Sequence, residues 1–153
     1  MVAYAESINT IQSRTTNAYD NGKSYTLVDS INKFWKGSIL EGKGRLLVDE
    51  CSRSSVPRAC VKVIAAQTWY ETKFGTLGSG TPPRRNLTGI KGSGPYREYK
   101  KYDDSIKDSV RLFIDGNYQD YFTLYGFEDG LCLSLEKWGT RNCGQIKGII
   151  GKM

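Results

Sequence analysis

Residues 61–75 read Val61-Lys62-Val63-Ile64-Ala65-Ala66-Gln67-Thr68-Trp69-Tyr70-Glu71-Thr72-Lys73-Phe74-Gly75. An apolar run opens the stretch, a single carboxylate stands among aromatic residues near its end, and a glycine closes it. Pro57 lies one helical turn upstream. Proline suits the first turn of a helix, because its missing N–H would be unpaired there anyway. The pattern predicts a helix from Pro57 to Phe74, apolar nearly all round and therefore buried, with Gly75 as its stop. Val61, Ile64, Thr68 and Glu71 recur at helical spacing, so the face that packs into the core carries Glu71 at its end.

Outward from this helix the chain is also mostly helical. Residues 24–36 (SYTLVDSINKFWK) set Leu27, Val28, Ile31, Phe34 and Trp35 on one stripe. Residues 38–50 show a weaker helical pattern, interrupted by Gly42 and Gly44. Residues 75–95, rich in Gly, Pro, Ser and Thr, read as a loop, and 96–102 (YREYKKY) as a short strand or hairpin. Asp103 or Asp104 is placed to cap the next helix, whose apolar stripe is Ile106, Val110, Phe113 and Ile114. Short helices are predicted at 117–125, 129–138 and 142–150. No repeat, low-complexity tract or linker divides the chain, so 1–153 reads as one domain of mainly α (α+β) class.

Composition narrows the chemistry. The 153 residues include ten tyrosines and three tryptophans but no histidine. That excludes His-based triads, Cys–His dyads and His-ligated metals, and leaves carboxylates, Tyr, Lys or Cys for acid–base work. The acidic residues show no calcium-loop spacing, so no metal and no other cofactor is expected. A net charge of +6 favours a polyanionic partner. The cations are scattered, however, and neither zinc-finger spacing nor an RNA-binding signature is present, which argues against nucleic acid. No apolar segment reaches the ~18 residues of a transmembrane helix. The opening residues, MVAYAESINTIQS, lack the charged and apolar regions of a secretory signal. The cysteines, Cys51, Cys60, Cys132 and Cys143, do not form C-x-x-C motifs. Two local disulfides, Cys51–Cys60 and Cys132–Cys143, and four reduced buried thiols are both compatible with this arrangement.

A carboxyl group beside aromatic rings in a partly dry site is destabilised when ionised, so its pKa rises. Held protonated near neutral pH, Glu71 could donate a proton to a leaving oxygen, the general-acid step of glycoside hydrolysis. The competing reading is a helix-terminal Glu in water or paired with Lys73 or Arg84.

Three motifs in order bear on that choice: residues 65–75 (AAQTWYETKFG), 86–92 (NLTGIKG) and 99–108 (YKKYDDSIKD). Together they resemble the glucosaminidase domain of glycoside hydrolase family 73, with its A-Q-x-x-x-E-S-x-x-G, N-L-F-G-I-K-G and F-R-x-Y-x-S patterns. Residues 137–150, starting Lys137-Trp138-Gly139-Thr140-Arg141, look like that family's Y-A-T-D-x-x-Y-x-x-K-I ending. The resemblance spans about 57–150. It implies a lysozyme-like helical domain with a short β-hairpin beside an active-site groove, and it makes Glu71 the catalytic acid. Trp69, Tyr70 and Tyr96 would offer ring faces to the sugars. Asn86, Gly89 and Lys91 would shape the groove floor or hold a tight loop, and Tyr102 would face the groove or hydrogen-bond in the core. The hairpin region is shorter here than in many members, where it carries a second acidic residue. Glu98 is the natural substitute, with Asp103 the runner-up, and the N-acetyl group of the substrate could assist instead.

The resemblance implies a peptidoglycan hydrolase that cuts the β-1,4 glycan strand on the reducing side of N-acetylglucosamine. A muramidase or lytic transglycosylase is the close alternative, and a non-catalytic peptidoglycan-binding module the alternative of another class. A nearly bare catalytic domain without an export signal is expected to be an antibacterial effector, delivered to the periplasm of a target bacterium by a machine such as type VI secretion. A phage lysin or tail-associated hydrolase fits almost as well. The expected partners are glycan strands and a cognate immunity protein that blocks the groove. Nucleic acid and membrane are not expected partners, and the free protein is expected to be a monomer.

Overall fold

The stripe expected at 24–36 is buried: Leu27, Val28 and Ile31 face inward from α1 (Lys23–Phe34), and Trp35 follows in full burial. This computed structural model describes residues 23–153. The Trp35 indole N–H donates to Thr68 Oγ1 at 3.1 Å, so the largest core side chain also satisfies its polar atom. The weak pattern at 38–50 resolves into turns followed by α2 (Gly44–Cys51). The Gly44 N–H donates to Asn32 Oδ1 at 2.8 Å and ties the start of α2 to α1.

Helix α3 (Pro57–Thr72) starts at Pro57 as expected and runs through the middle of the molecule. It touches α2 and each of the later helices. Residues 63 to 68 are buried without a break, which is why its apolar residues show no single stripe. The helix ends two residues before the predicted point. Lys73, Phe74 and Gly75 all have positive φ (48°, 57° and 83°). A polar knot on Thr72 holds this sharp turn: its hydroxyl donates to Leu87 O at 2.9 Å and accepts from Gly75 N–H at 3.0 Å.

After a 3₁₀ turn (Gly78–Gly80) the chain crosses in a long loop. The short β-hairpin expected there is not formed. An isolated antiparallel bridge joins Lys91 to Tyr96, and 96–101 is not a strand. One ladder bond flanks the bridge, Arg97 N–H to Ile90 O at 3.0 Å, and the neighbouring ladder groups are used otherwise. The Asn86 amide donates to Ile90 O at 2.7 Å and Arg97 O at 3.1 Å, and its Oδ1 accepts from Ile90 N–H at 2.9 Å. Tyr99 N–H turns to Arg84 O at 2.8 Å, while Pro95 has no N–H to give.

Helix α4 (Tyr102–Asp115) buries the expected Ile106, Val110 and Phe113. Its N-cap residue is Lys101, without a side-chain cap. Asp103 and Asp104 therefore lie inside the first turn and not at the cap, where they act on the helix dipole. The two short helices expected at 117–125 and 129–138 are joined as α5 (Tyr118–Trp138), kinked at Gly126. That residue has φ 77° and ψ 179°, a conformation open to glycine but not to residues with a Cβ. Helix α6 (Cys143–Ile150) begins at Asn142, whose Oδ1 accepts from Gln145 N–H at 3.0 Å, a regular N-cap. The cysteines form two disulfides, Cys51–Cys60 between α2 and α3 and Cys132–Cys143 between α5 and α6. The class is mainly α, around one continuous apolar core.

Candidate active site

Glu71 occupies the last turn of α3 and lines a groove of about 410 Å³. One wall is the loop Thr88–Lys91 with Tyr96; the other is Leu112 of α4 with Tyr118, Trp138 and Gly139 of α5 and its end. Glu71 opens to solvent through this groove, yet its carboxyl is partly desolvated by the walls. That burial raises its pKa above the ordinary value of 4.5, and a hydrogen bond from Thr140 works against the rise. The Thr140 hydroxyl donates to Glu71 Oε1 at 2.9 Å. Thr140 is itself buried, so the contact fixes one carboxyl oxygen and leaves Oε2 toward the groove.

Among the described residues Glu71 forms no ion pair. Lys73, the neighbour that could have neutralised it, lies over the Trp69 ring at 4.4 Å instead. Gly89 shows how closely the loop approaches. A Cβ built on it would lie 3.6 Å from Glu71 Oε2 and 3.8 Å from the Tyr96 ring, at a φ of +71° that L side chains rarely adopt. Any other residue here would be strained and would stand between the acid and Tyr96.

The aromatic wall is fixed by hydrogen bonding and stacking. The Trp138 indole N–H donates to Thr88 O at 3.1 Å, and its ring meets Tyr118 edge-on at 4.8 Å. Opposite, Lys91 Nζ sits 4.8 Å from the Tyr96 ring centre. The loop wall is bolted to α4 by Leu87 N–H donating to Ser105 Oγ at 2.9 Å and by a 2.7 Å hydroxyl pair, Thr88 with Ser109. Beyond the bridge, Asp108 accepts from Arg97 at 2.8 Å, Tyr99 OH at 2.6 Å and Arg111 Nε at 2.8 Å. Burial alone would raise the Asp108 pKa, but these donors bring it below the usual carboxylate value.

Of the residues singled out in the sequence, Glu71, Gly89, Lys91 and Tyr96 meet in this groove. The others lie elsewhere. Trp69 points to a separate shallow pocket with Phe34 and Phe74, its ring 5.0 Å from Phe74. Tyr70 packs half-buried on the core. Asn86 is the fully buried staple of the loop, and Tyr102 OH donates to Gly80 O at 3.0 Å, so both take the structural role that was the alternative for each. Glu98 is exposed outside the groove, and Asp103 pairs with Lys43. Among the described residues Glu71 is thus the single carboxylate lining the groove.

Sequence reasoning assigned no role to Thr88, Leu112, Tyr118, Trp138 and Thr140. Trp138 and Thr140 stand in the C-terminal motif, which was the available signal; Tyr118 and Leu112 carried none. The arrangement can supply one proton donor with a raised pKa, aromatic rings beside it and one cation, Lys91, which lies at the Tyr96 ring and makes no ion pair with the acid. Compared with known proteins, the chain matches no family model, no curated protein and no solved structure.

Proposed function

We propose that the protein is a peptidoglycan hydrolase, an endo-N-acetylglucosaminidase in which Glu71 protonates the leaving oxygen of a β-1,4 glycosidic bond. The observation that carries this reading is the partly desolvated, unpaired Glu71 carboxyl in a groove flanked by Tyr96, Tyr118 and Trp138. A protonated carboxyl near neutral pH is the requirement of the general-acid step. Aromatic rings present apolar faces with a polar edge, the complement of a pyranose face. The order of the three motifs and the net charge of +6, suited to an anionic wall, support the same reading.

A groove with one carboxylate favours a displacement in which the substrate supplies the second group. The carbonyl oxygen of the N-acetyl group attacks the anomeric carbon as Glu71 delivers its proton to the departing oxygen. Water then opens the resulting oxazolinium ion, with the Glu71 carboxylate taking back a proton. A lytic transglycosylase, in which a substrate hydroxyl replaces water, is served by the same single carboxylate. The two disulfides support a site of action outside the reducing cytosol. They fit the reading of an antibacterial effector working in a target periplasm, partnered by an immunity protein over the groove, and fit a phage lysin as well.

The test is mass spectrometry of fragments released from purified peptidoglycan by the wild type and by Glu71→Gln, with folding of the variant checked by circular dichroism. Reducing-end N-acetylglucosamine from the wild type alone is the expected result. Reducing muramic ends or anhydro-sugars would keep Glu71 as the acid and change the bond or the acceptor. No fragments from either protein would sink the enzyme reading in favour of a peptidoglycan-binding module.

A further inference from the structure

A second depression, of about 500 Å³, lies at the far end of α3 from Glu71. Thirteen helical rises separate Arg58 from Glu71, roughly 20 Å, so the two sites share no residues. Its apolar lining is Val56 and Pro57 at the start of α3 with Phe122 and Phe127, which flank the kink of α5. Phe122 is nearly buried at the base and Phe127 is 38% exposed. Leu124 and Tyr125, between them in the chain, are 71% and 55% exposed. Large apolar side chains held out at one kink mark a binding surface more often than a chance exposure.

Two cations enter this apolar basin, Arg58 and Lys62. One turn apart on α3, they share a face. Neither makes an ion pair among the described residues. Burial, and then the Arg58 charge, lower the Lys62 pKa, so the pair is held together at a cost that an anion would relieve. The first turn of α3 adds to the positive potential, since no side chain caps it and no acidic residue lies in it.

We propose that this depression is a binding site for a compact anionic amphiphile, an apolar chain or ring that carries one carboxylate or phosphate. The apolar body would lie between Phe122 and Phe127, and the head group would bridge Arg58 and Lys62. The volume falls within the ~300–1,000 Å³ of small-molecule sites, which are apolar with a few placed polar groups. An extended acidic partner suits the surface less well. Asp129, two residues beyond Phe127, is an exposed carboxylate that would repel it beyond the basin, while the neighbouring Glu128 is paired with Lys147 at 2.7 Å.

The experiment is an amide NMR titration of the whole chain with octanoate, octyl phosphate and octanol. Saturable shifts at Arg58, Ala59, Lys62 and Phe127 with the two anions are expected. Octanol should bind at least about tenfold more weakly, as should octanoate to the double variant Arg58→Gln, Lys62→Gln. Both substitutions are on exposed or half-exposed positions and should leave the spectrum folded, and Phe127→Ala should weaken all three probes. Glu71→Gln should bind octanoate unchanged, so failure of the hydrolase reading would leave this result standing. Equal binding of octanol and octanoate would overturn the proposal, as would shifts scattered over the surface. Binding only of an acidic peptide such as acetyl-Glu-Phe-Leu-Glu-amide would overturn it in favour of a protein segment. The carboxylate and phosphate arms identify the preferred head group.

Discussion

At its C-terminal end α3 carries a carboxylate, Glu71; at its N-terminal end it carries two cations, Arg58 and Lys62. A helix is stabilised by the opposite arrangement, acids near its N-terminus and bases near its C-terminus. Arg58 in the first turn and Glu71 in the last therefore hold charge against the dipole, and Lys62 adds a second cation one turn further in. They differ in how that charge is managed. The Glu71 end has a Thr72 knot, a hydroxyl from Thr140 and a loop bolted to α4. The Arg58 end is fastened covalently by Cys51–Cys60 and offers its cations no partner. Charge placed against helix stability on a well-packed element points to binding or chemistry at that place, and here it does so twice.

The largest effect separating the two ends should come from Glu71→Gln. Loss of a general acid should slow glycan cleavage about 10²–10⁴-fold, read as fragment release per enzyme, while leaving the fold intact. The opposite end should break differently. Replacing Cys51 and Cys60 by serine releases a short loop constraint and should cost about 3 kcal/mol in denaturant unfolding. Cleavage by the remaining folded protein should stay near the wild-type rate. A large loss of rate at full folding would mean the two ends are coupled.

Thr140→Val sharpens the chemical end. It removes the donor that holds the Glu71 pKa down, so that pKa should rise further. The acid form then persists to higher pH, and the alkaline limb of the kcat/KM profile should move up. The lost hydrogen bond should cost about 1 kcal/mol of stability. An unmoved limb would sever Thr140 from the acid.

The smallest effect is on stability against pH. The folded pKa of Glu71 lies above its ordinary value, so between the two the native state binds more protons than the unfolded chain. Stability contributed by the protonated form is then complete below pH 4.5 and is lost as pH rises through the folded value. Glu71→Gln should consequently raise Tm slightly at pH 7, and the gain should vanish below pH 4.5. A Tm lowered at pH 7 by this variant would show the carboxylate to be stabilising and undo the contrast with an ordinary helix end.

Much of the fold was readable from local pattern. The stripe of α1, the burial and start of α3, the stripe of α4 and the break in α5 all rest on spacing within one element, which needs no partner to be seen. Glu71 was readable for the same reason, as a carboxylate on the buried face of an apolar helix. Trp69 and Tyr70 were misplaced because aromatic neighbours in sequence project around a helix to different sides, and only Glu71 reaches the groove. The hairpin was misread because composition cannot show that the Asn86 side chain and Arg84 carbonyl intercept the groups a ladder would pair.

The sequence by itself determined a mainly helical chain, a central buried helix and a single acid at its end, since these follow from periodicity, a proline and a charge. Tertiary structure alone decided the rest of the site. It brought Tyr118 and Trp138 to the groove, set Thr140 on a carboxyl sixty-nine positions away, and left Glu98 and Asp103 outside. It also chose disulfides over thiols. These contacts join residues far apart in the chain, and their partners are selected by packing of whole helices. Local spacing carries no record of that selection.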